Sequence, residues 1–501
     1  MSEKSIIIVG AGLAGMSTGC YAQMNGYSSR IFEHHSAPGG VVAAWRRKDY
    51  LIDGGIHFLM GHKPGTPIYD LYRELGATEG SRFLDMTSYA RYVDEITDRS
   101  VDVTPNLERL AADLKSWSPA DAPIVDDLIA GARAMQRSGM GGMDMAKPAE
   151  MMGFFDRVKQ FWGMRGIMKY FGGKYARPIA EYAQAIQDPG LRRVIENLFL
   201  PEVPVWFICM ILGLLADGQM GLLEGGSWEF ARLIEKRYRD LRGEVTYNAT
   251  VGRILVENDR AVGIRLTDGS EHRADVIVSA ADGYSTIFGM LEGRFASDEI
   301  RRRYDEWKLV RPFMLVSFGV AREFADQPPF GIRFLKEPIS FGDEMVAGIS
   351  TRIFNYSDRF APPGKTVIQV MMETGWDSWN ELRKDKALYD AEKEHLAAEI
   401  LKRLESIYPG ITAQVEVTDV ATPYTTWRYT LNRDGAYEGW LPTQEAIMAR
   451  PIRILPGLAS FYMAGQWVMP GGGVPPCLYS GRHVIQLLCR ADGKQFAHRA
   501  P

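Results

Sequence analysis

The chain has 501 residues, of which 46% are hydrophobic and 24% charged, and its formal net charge is −4. The length exceeds what one simple core serves, so two domains are expected, and the composition is that of a soluble globular protein. The slight acidity gives no pull toward nucleic acid, and Cys20, Cys209, Cys477 and Cys489 show no metal-ligand spacing, so no metal site is expected and a reducing cytoplasm fits better than secretion.

In chain order, no signal peptide is read at MSEK, and residues 6–15, IIIVGAGLAG, come first. Four apolar residues run straight into Gly10-x-Gly12-x-x-Gly15, a helical pattern follows, and a second strand ends at Glu33, 18 residues past Gly15. Strand, glycines, helix and distal acid together form a dinucleotide-binding fingerprint. Gly10 allows the tight turn, Gly12 lets backbone approach a pyrophosphate, and Gly15 lets helix pack on strand. The helix N-terminus offers free N–H groups to phosphate, and Glu33 can accept hydrogen bonds from ribose hydroxyls.

From residue 66 to about 220 the apolar spacing predicts mostly helix: PIYDLYRELGA, NLERLAADLKSW, PIVDDLIAGARAM and PGLRRVIENLF. The apolar run at 203–216 is too short to span a bilayer. Within 135–168, methionines mix with Phe154, Phe155, Phe161 and Trp162, which suits either ordinary core or a floppy apolar ligand. At Glu224 the pattern changes. GGSWEFARLIEKRYRDLRG predicts a helix with a glycine stop, and the run that ends in ADVIVSAAD predicts successive strands, the last a buried parallel one.

Residues 305–450 predict strands at FMLVSFGVA, KTVIQVMME and AQVEVTDVAT, with a helix at 387–407. FYMAGQWVMPGGGVPPCLYSGRHVIQLLCR then reads as strand, glycine loop and closing helix. No repeat or low-complexity linker separates the parts, so the two domains are interwoven. The expected division assigns 1–65, 224–300 and 455–495 to a nucleotide-binding domain, and 66–223 and 301–454 to an α+β substrate domain with a helical insert.

Three further segments select the dinucleotide. Gly39 and Gly40 follow Glu33, Gly54 and Gly55 follow Asp53, and Ala464-Gly465-Gln466 leads through Gly473 to a helix at Val474. A nicotinamide does not need these extra loops, whereas FAD, whose ring reaches far from the adenine, does. A late helix N-terminus can face the flavin pyrimidine ring and stabilise the reduced anion. No second GxGxxG opens a helix after a strand, so no built-in NAD domain is expected.

The order GAGLAG, E, GG, DGG, then EGGSWEFARLI and ADVIVSAAD, then AGQWVMPGGGVPP is similar to bacterial phytoene desaturases. Carotenoid isomerases and retinol saturases belong to the same superfamily as flavin amine oxidases. The resemblance spans nearly the whole chain and is weakest at 66–223. It implies an α/β architecture with a Rossmann-like FAD-binding domain of the glutathione-reductase type. It also implies that Gly10, Gly12, Ala14 and Gly15 hold the pyrophosphate and Glu33 the ribose. Gly39 and Gly40 would line the phosphate side with Arg46 as a charge partner, Val251 would meet the adenine, Gly465 and Val474 would border the flavin, and Gly54, Gly55, Gln466 and Gly473 would also belong to the cofactor site. Gln466 stands where amine oxidases usually carry an acid.

The function implied is hydride transfer between flavin N5 and a carbon–carbon bond of a long apolar lipid or isoprenoid, in desaturation, saturation or isomerisation. Electrons would be exchanged with a quinone, dioxygen or a reduced carrier. His57 is the polar candidate for proton transfer near the ring, alongside its alternative as a turn residue. Asp53 reads as a loop-fixing acceptor, and Arg428 and Tyr429 as polar residues on a strand. Arg301, Arg302 and Arg303 read as a solvated helix face, while Arg46, Arg47 and Lys48 suit phosphate or anionic lipid. Two alternatives stand: a flavin amine oxidase, and a non-enzymatic prenyl-binding protein of the GDP-dissociation-inhibitor type. The expected location is cytoplasmic, with peripheral contact on the inner face of the membrane.

Overall fold

The computed structural model describes residues 4–139, 145–341 and 344–499. A five-stranded parallel sheet runs in the order Glu244–Thr246, Ser28–Phe32, Ser5–Val9, Val276–Ser279, Phe461–Met463. Its central strand shows why a continuous apolar run belongs in a sheet covered on both faces. Ile6 and Ile8 pack with Met16 and Cys20 of the fingerprint helix, Leu13–Met24. Ile7 and Val9 point the other way, to Ile254 and Ile264 of an antiparallel three-stranded layer. The helix Gly226–Asp240 and the closing helix Val474–Ala491 cover the first face beside the fingerprint helix.

A second sheet has seven strands, in the order Val415–Ala421, Phe313–Val320, Thr366–Glu373, Glu344–Ile353, Phe330–Phe341, Ala90–Asp94, Arg99–Val103. It is antiparallel except where Phe330–Phe341 meets Ala90–Asp94. The helix Lys386–Ile407 lays Leu396, Ala397, Ile400 and Leu404 against Met314, Val316 and Val370 of this sheet.

The stretch read as mostly helical also contributes strands, at Phe83–Asp85, Ala90–Asp94, Arg99–Val103 and Met220–Leu223. Ala90–Asp94 alternates buried and half-buried residues, the two-residue period of an edge hairpin, but five residues are too few to stand out among long helices. The strands Phe330–Phe341 and Glu344–Ile353 were not anticipated either; their polar and charged residues disguise the pattern. The apolar run forms the helix Val205–Ala216, buried on nearly all sides against Ala122–Ser138. No described helix is long and apolar enough to cross a membrane.

The helix Phe154–Met164 is different, because none of its residues is buried. Phe154, Phe155, Phe161 and Trp162 are 76, 84, 56 and 59% exposed, so they are not core. Residues 140–144 of the methionine-rich run lie outside the described residues.

Candidate active site

One cavity of about 470 Å³ runs from the parallel sheet and its glycine loops to the helical block. At one end stands the fingerprint turn. Gly10 has φ +97°, a conformation that side-chain-bearing residues rarely adopt. A Cβ on Gly15 would lie 1.9 Å from the Gly10 carbonyl oxygen, so this glycine sets how closely helix approaches strand. Gly12 caps the helix without any side-chain hydrogen bond, and a Cβ there would find only the Gly39 carbonyl, at 4.0 Å. The first N–H groups of the helix therefore face open cavity, the arrangement a pyrophosphate requires.

Glu33 closes the next part of the wall. Its carboxylate accepts hydrogen bonds from the Ala11 N–H at 2.6 Å and the His35 N–H at 2.7 Å. Burial raises its pKa, and the two N–H groups oppose that shift. Val251 and Thr250 line the same end, with the Thr250 hydroxyl 2.7 Å from His34 Nδ1. Gly39 and Gly40 both line the cavity, and Gly39 is pinned by its N–H to the Ala11 carbonyl, at 2.9 Å.

A second free helix end faces the same cavity. Gly471, Gly472 and Gly473 all have positive φ, and the closing helix begins at Val474 with no side-chain cap. Gly465, held by its N–H to the Ser480 hydroxyl at 2.9 Å, lines the wall with Gln466, Gly473 and Val474. Two helix N-termini thus open onto one space from opposite ends of the sequence, although Pro475 and Pro476 leave the second with fewer N–H donors than the first. Glycines occupy the wall where side chains would fill that space. These residues fit an extended dinucleotide such as FAD.

Of the residues expected at the cofactor, Gly10, Gly12, Ala14, Glu33, Gly39, Gly40, Gly55, Val251, Gly465, Gln466, Gly473 and Val474 line this cavity. Gly15, Gly54 and Arg46 do not. Gly54 is packed under Trp45 and Leu315, where a Cβ would meet Trp45 at 2.9 Å. Arg46 is exposed at the end of the hairpin strand Ala44–Arg47, next to the equally exposed Arg47. Its neighbours are committed to Val415–Ala421: Arg47 Nε lies 2.7 Å from Asp419, and Lys48 donates to the Glu416 carbonyl at 2.8 Å. None of the three lines the cavity.

Asp53 fixes the loop, as its sequence position predicts, by accepting hydrogen bonds from the Gly55 N–H, the Ser227 N–H and the Ser227 hydroxyl at 2.7–2.9 Å. Arg428 and Tyr429 stand on a helix, Pro423–Thr430, rather than a strand. Arg303 is also not solvated; it is 8% exposed and donates to Glu299 and to the Arg450 carbonyl.

His57 lines the cavity with its ring 6.0 Å from that of Tyr437, nearly parallel. Desolvation, then the nearby Arg352 guanidinium, push its pKa down to about 3. The imidazole is neutral at pH 7, so the near-neutral pKa that suggested it as a proton-transfer group is absent. Tyr437 donates its hydroxyl to the carbonyls of Gly54, at 2.7 Å, and Gly55, which ties the AYEGW segment to the Asp53 loop.

Glu438 and Asp282 also line the cavity and were not singled out in the sequence. Asp282 is held by the N–H groups of Ser285 at 2.7 Å and Arg433 at 3.0 Å. An acid set among Ala436, Tyr437 and Trp440 is the available signal for Glu438, since isolated charges are rare in apolar runs.

Phe199, Trp206, Phe207, Met210 and Leu214 of the helical block, together with Phe58, give the cavity an apolar wall. The chain is 22% identical to the chloroplastic prolycopene isomerase of Arabidopsis thaliana over 490 residues, which cover 95% of this chain and 81% of that protein. It is 25% identical to the neurosporene-forming phytoene desaturase of Rhodobacter capsulatus over 512 residues, covering 96% and 93%. Its fold is like that of cyclohexylamine oxidase from Brevibacterium oxydans, with a TM-score of 0.60 at 15% identity over 98% of this chain and all of that one. Residues 13–488 match the family described as flavin containing amine oxidoreductase, and the chain belongs to that family as an FAD-dependent oxidoreductase.

Proposed function

We propose that this oxidoreductase acts on carbon–carbon bonds of a long apolar isoprenoid or related lipid, by desaturation, saturation or isomerisation. The observation that carries this reading is the wall of the cavity beyond the cofactor residues, built from Phe199, Trp206, Phe207, Met210 and Leu214. Such a wall recognises hydrocarbon by area and shape and offers no fixed partner for a polar chain. The likeness to a prolycopene isomerase and a phytoene desaturase supports the same substrate class.

Bound FAD supplies hydride exchange at N5. The chain's own residues do the rest. The two helix N-termini would hold the pyrophosphate and the flavin ring, Glu33 the ribose, and the aromatic wall would orient the polyene and exclude water. On this reading 1–65, 224–300 and 455–495 form the cofactor domain, and 66–223 and 301–454 the substrate domain.

The helix Phe154–Met164 supports peripheral membrane contact. Its exposed aromatics are interleaved with exposed Arg157, Lys159 and Arg165, the pairing that anionic lipid surfaces favour. A membrane-seated enzyme would meet both its substrate and a quinone there; dioxygen or a reduced carrier would serve as well.

The test is anaerobic mixing of the oxidised and the dithionite-reduced holoenzyme with carotenoids, retinoids, fatty acyl chains and amines. Flavin bleaching or recovery with polyenes, and not with amines, is the expected result. Bleaching by amines alone would return the protein to the amine-oxidase reading.

A further inference from the structure

Three carboxylates line the cavity, and they differ in one respect. Glu33 accepts two backbone N–H bonds and Asp282 accepts two more. Glu438 has no hydrogen-bond or ion-pair partner among the described residues, and its accessible part opens into the cavity. It stands directly against the glycine turn that leads into the closing helix: a Cβ on Gly472 would lie 3.1 Å from its carboxylate. That turn is the part of the site expected to border the flavin.

A carboxylate without partners in an apolar wall is costly as a charge and useful as an acid. We propose that Glu438 is the proton-exchanging group of this cavity, giving a proton to, or taking one from, the substrate carbon adjacent to the carbon that exchanges hydride. The inference rests on the proposed carbon–carbon chemistry. In the saturating direction, FAD held by these residues would supply the hydride for one alkene carbon. The π pair then forms a C–H bond at the other carbon with the proton of Glu438, whose O–H bond breaks. The substrate gains two electrons, the flavin loses two, and the carboxylate regains its proton from water. Desaturation is the reverse.

The surroundings agree with this assignment. Desolvation pushes the Glu438 pKa up to about 7, the value at which one group can both give and take a proton near neutrality. The facing titratable groups are Cys477 on the closing helix and Tyr437 beside it. Burial pushes the Cys477 thiol up to about 12 and holds the Tyr437 hydroxyl well above its ordinary value, so neither is charged. His57, the other candidate, is held neutral by burial and by the Arg352 charge.

The experiment compares wild-type holoenzyme with Glu438→Gln and Glu438→Asp. Infrared difference spectra across pH 5–9 read the carboxyl directly, without turnover. A protonated-carboxyl band that titrates near neutral pH and vanishes in Glu438→Gln is expected; an unchanged band in that variant would overturn the proposal. With phytoene, lycopene and retinol as probes, Glu438→Gln should keep its flavin absorbance and KM and lose about 100-fold in kcat, with partial recovery in Glu438→Asp. Unchanged kcat, or a rise in KM alone with amines as the only substrates, also overturns it. If the wild type converts none of the polyenes, the substrate reading fails, and the infrared titration still decides Glu438 by itself.

Discussion

Gly481 and Ala14 meet backbone to backbone. A Cβ on Gly481 would lie 2.6 Å from the Ala14 carbonyl oxygen, and as close to the Thr18 N–H nitrogen. Gly481 belongs to the closing helix and Ala14 to the fingerprint helix, so this contact sets the spacing of the two helix N-termini that share the cavity.

Gly481→Val should therefore separate the two ends of the cofactor bed. Both clashing partners are backbone and cannot rotate away. Overpacking of this kind typically lowers stability by about 1–3 kcal/mol. Purified variant protein is expected to show a lower Tm and a reduced flavin-to-protein absorbance ratio. A normal ratio would mean that the helix contact does not set the bed.

Gly12 and Gly15 should respond differently although they belong to one motif. Space is open around Gly12, where the nearest atom to a Cβ is 4.0 Å away, whereas at Gly15 it is 1.9 Å away. Gly12→Val is expected to leave the apoprotein folded, with unchanged circular dichroism, and to abolish flavin binding. Gly15→Ala is expected to destabilise the apoprotein itself. Equal effects of the two on apoprotein Tm would contradict this division.

His483 predicts a pH dependence. Its Nε2 donates to the Met145 carbonyl at 2.6 Å, and its Nδ1 accepts from Arg453 at 3.0 Å. Burial, then the Arg453 charge, hold its pKa down to about 3. Above pH 6.5 the ring is neutral in both folded and unfolded chains and contributes nothing to the pH slope. Below it the unfolded chain takes up a proton that the native state refuses, so stability falls as pH falls, by about 1.4 kcal/mol per pH unit. Other groups titrate in the same range, so the measurement is a difference. In urea unfolding at pH 7, 6 and 5, the stability gap between wild type and His483→Gln should narrow by about half that amount from pH 7 to 6 and by nearly all of it from pH 6 to 5. A gap independent of pH would show that His483 is protonated in the native protein.

The exposed helix Phe154–Met164 predicts membrane binding that does not depend on the cofactor. Replacing Phe154, Phe155, Phe161 and Trp162 by Ser removes the apolar face, where each large side chain is worth about 1.5–3 kcal/mol when fully buried. Flotation with anionic phosphatidylglycerol vesicles should recover wild type and leave the fourfold variant at the bottom of the gradient, at least 100-fold weaker. Tm and flavin content should not change, since none of the four packs into the core. Wild type that fails to float would dispose of the membrane contact.

The amino-acid sequence by itself determined the cofactor class and most of the scaffold that holds it. Gly10, Gly12, Gly15 and Glu33 are legible because their constraint is local: a turn, a close approach and a helix end within one strand–helix–strand unit. The buried run at Val276–Ser279 was readable for the same reason, as a continuous apolar stretch. Tertiary structure alone decided the rest. That Arg46 lies exposed and off the cavity depends on how the hairpin sits against the rest of the chain, which the local sequence does not carry. The protonation of His57 and Glu438 was not legible because a pKa is set by desolvation and by charges far away in the chain, such as Arg352 beside His57. Whether the aromatics at 154–162 are core or surface depends on what packs against them, and hydrophobicity along a chain does not specify the partner that would cover it.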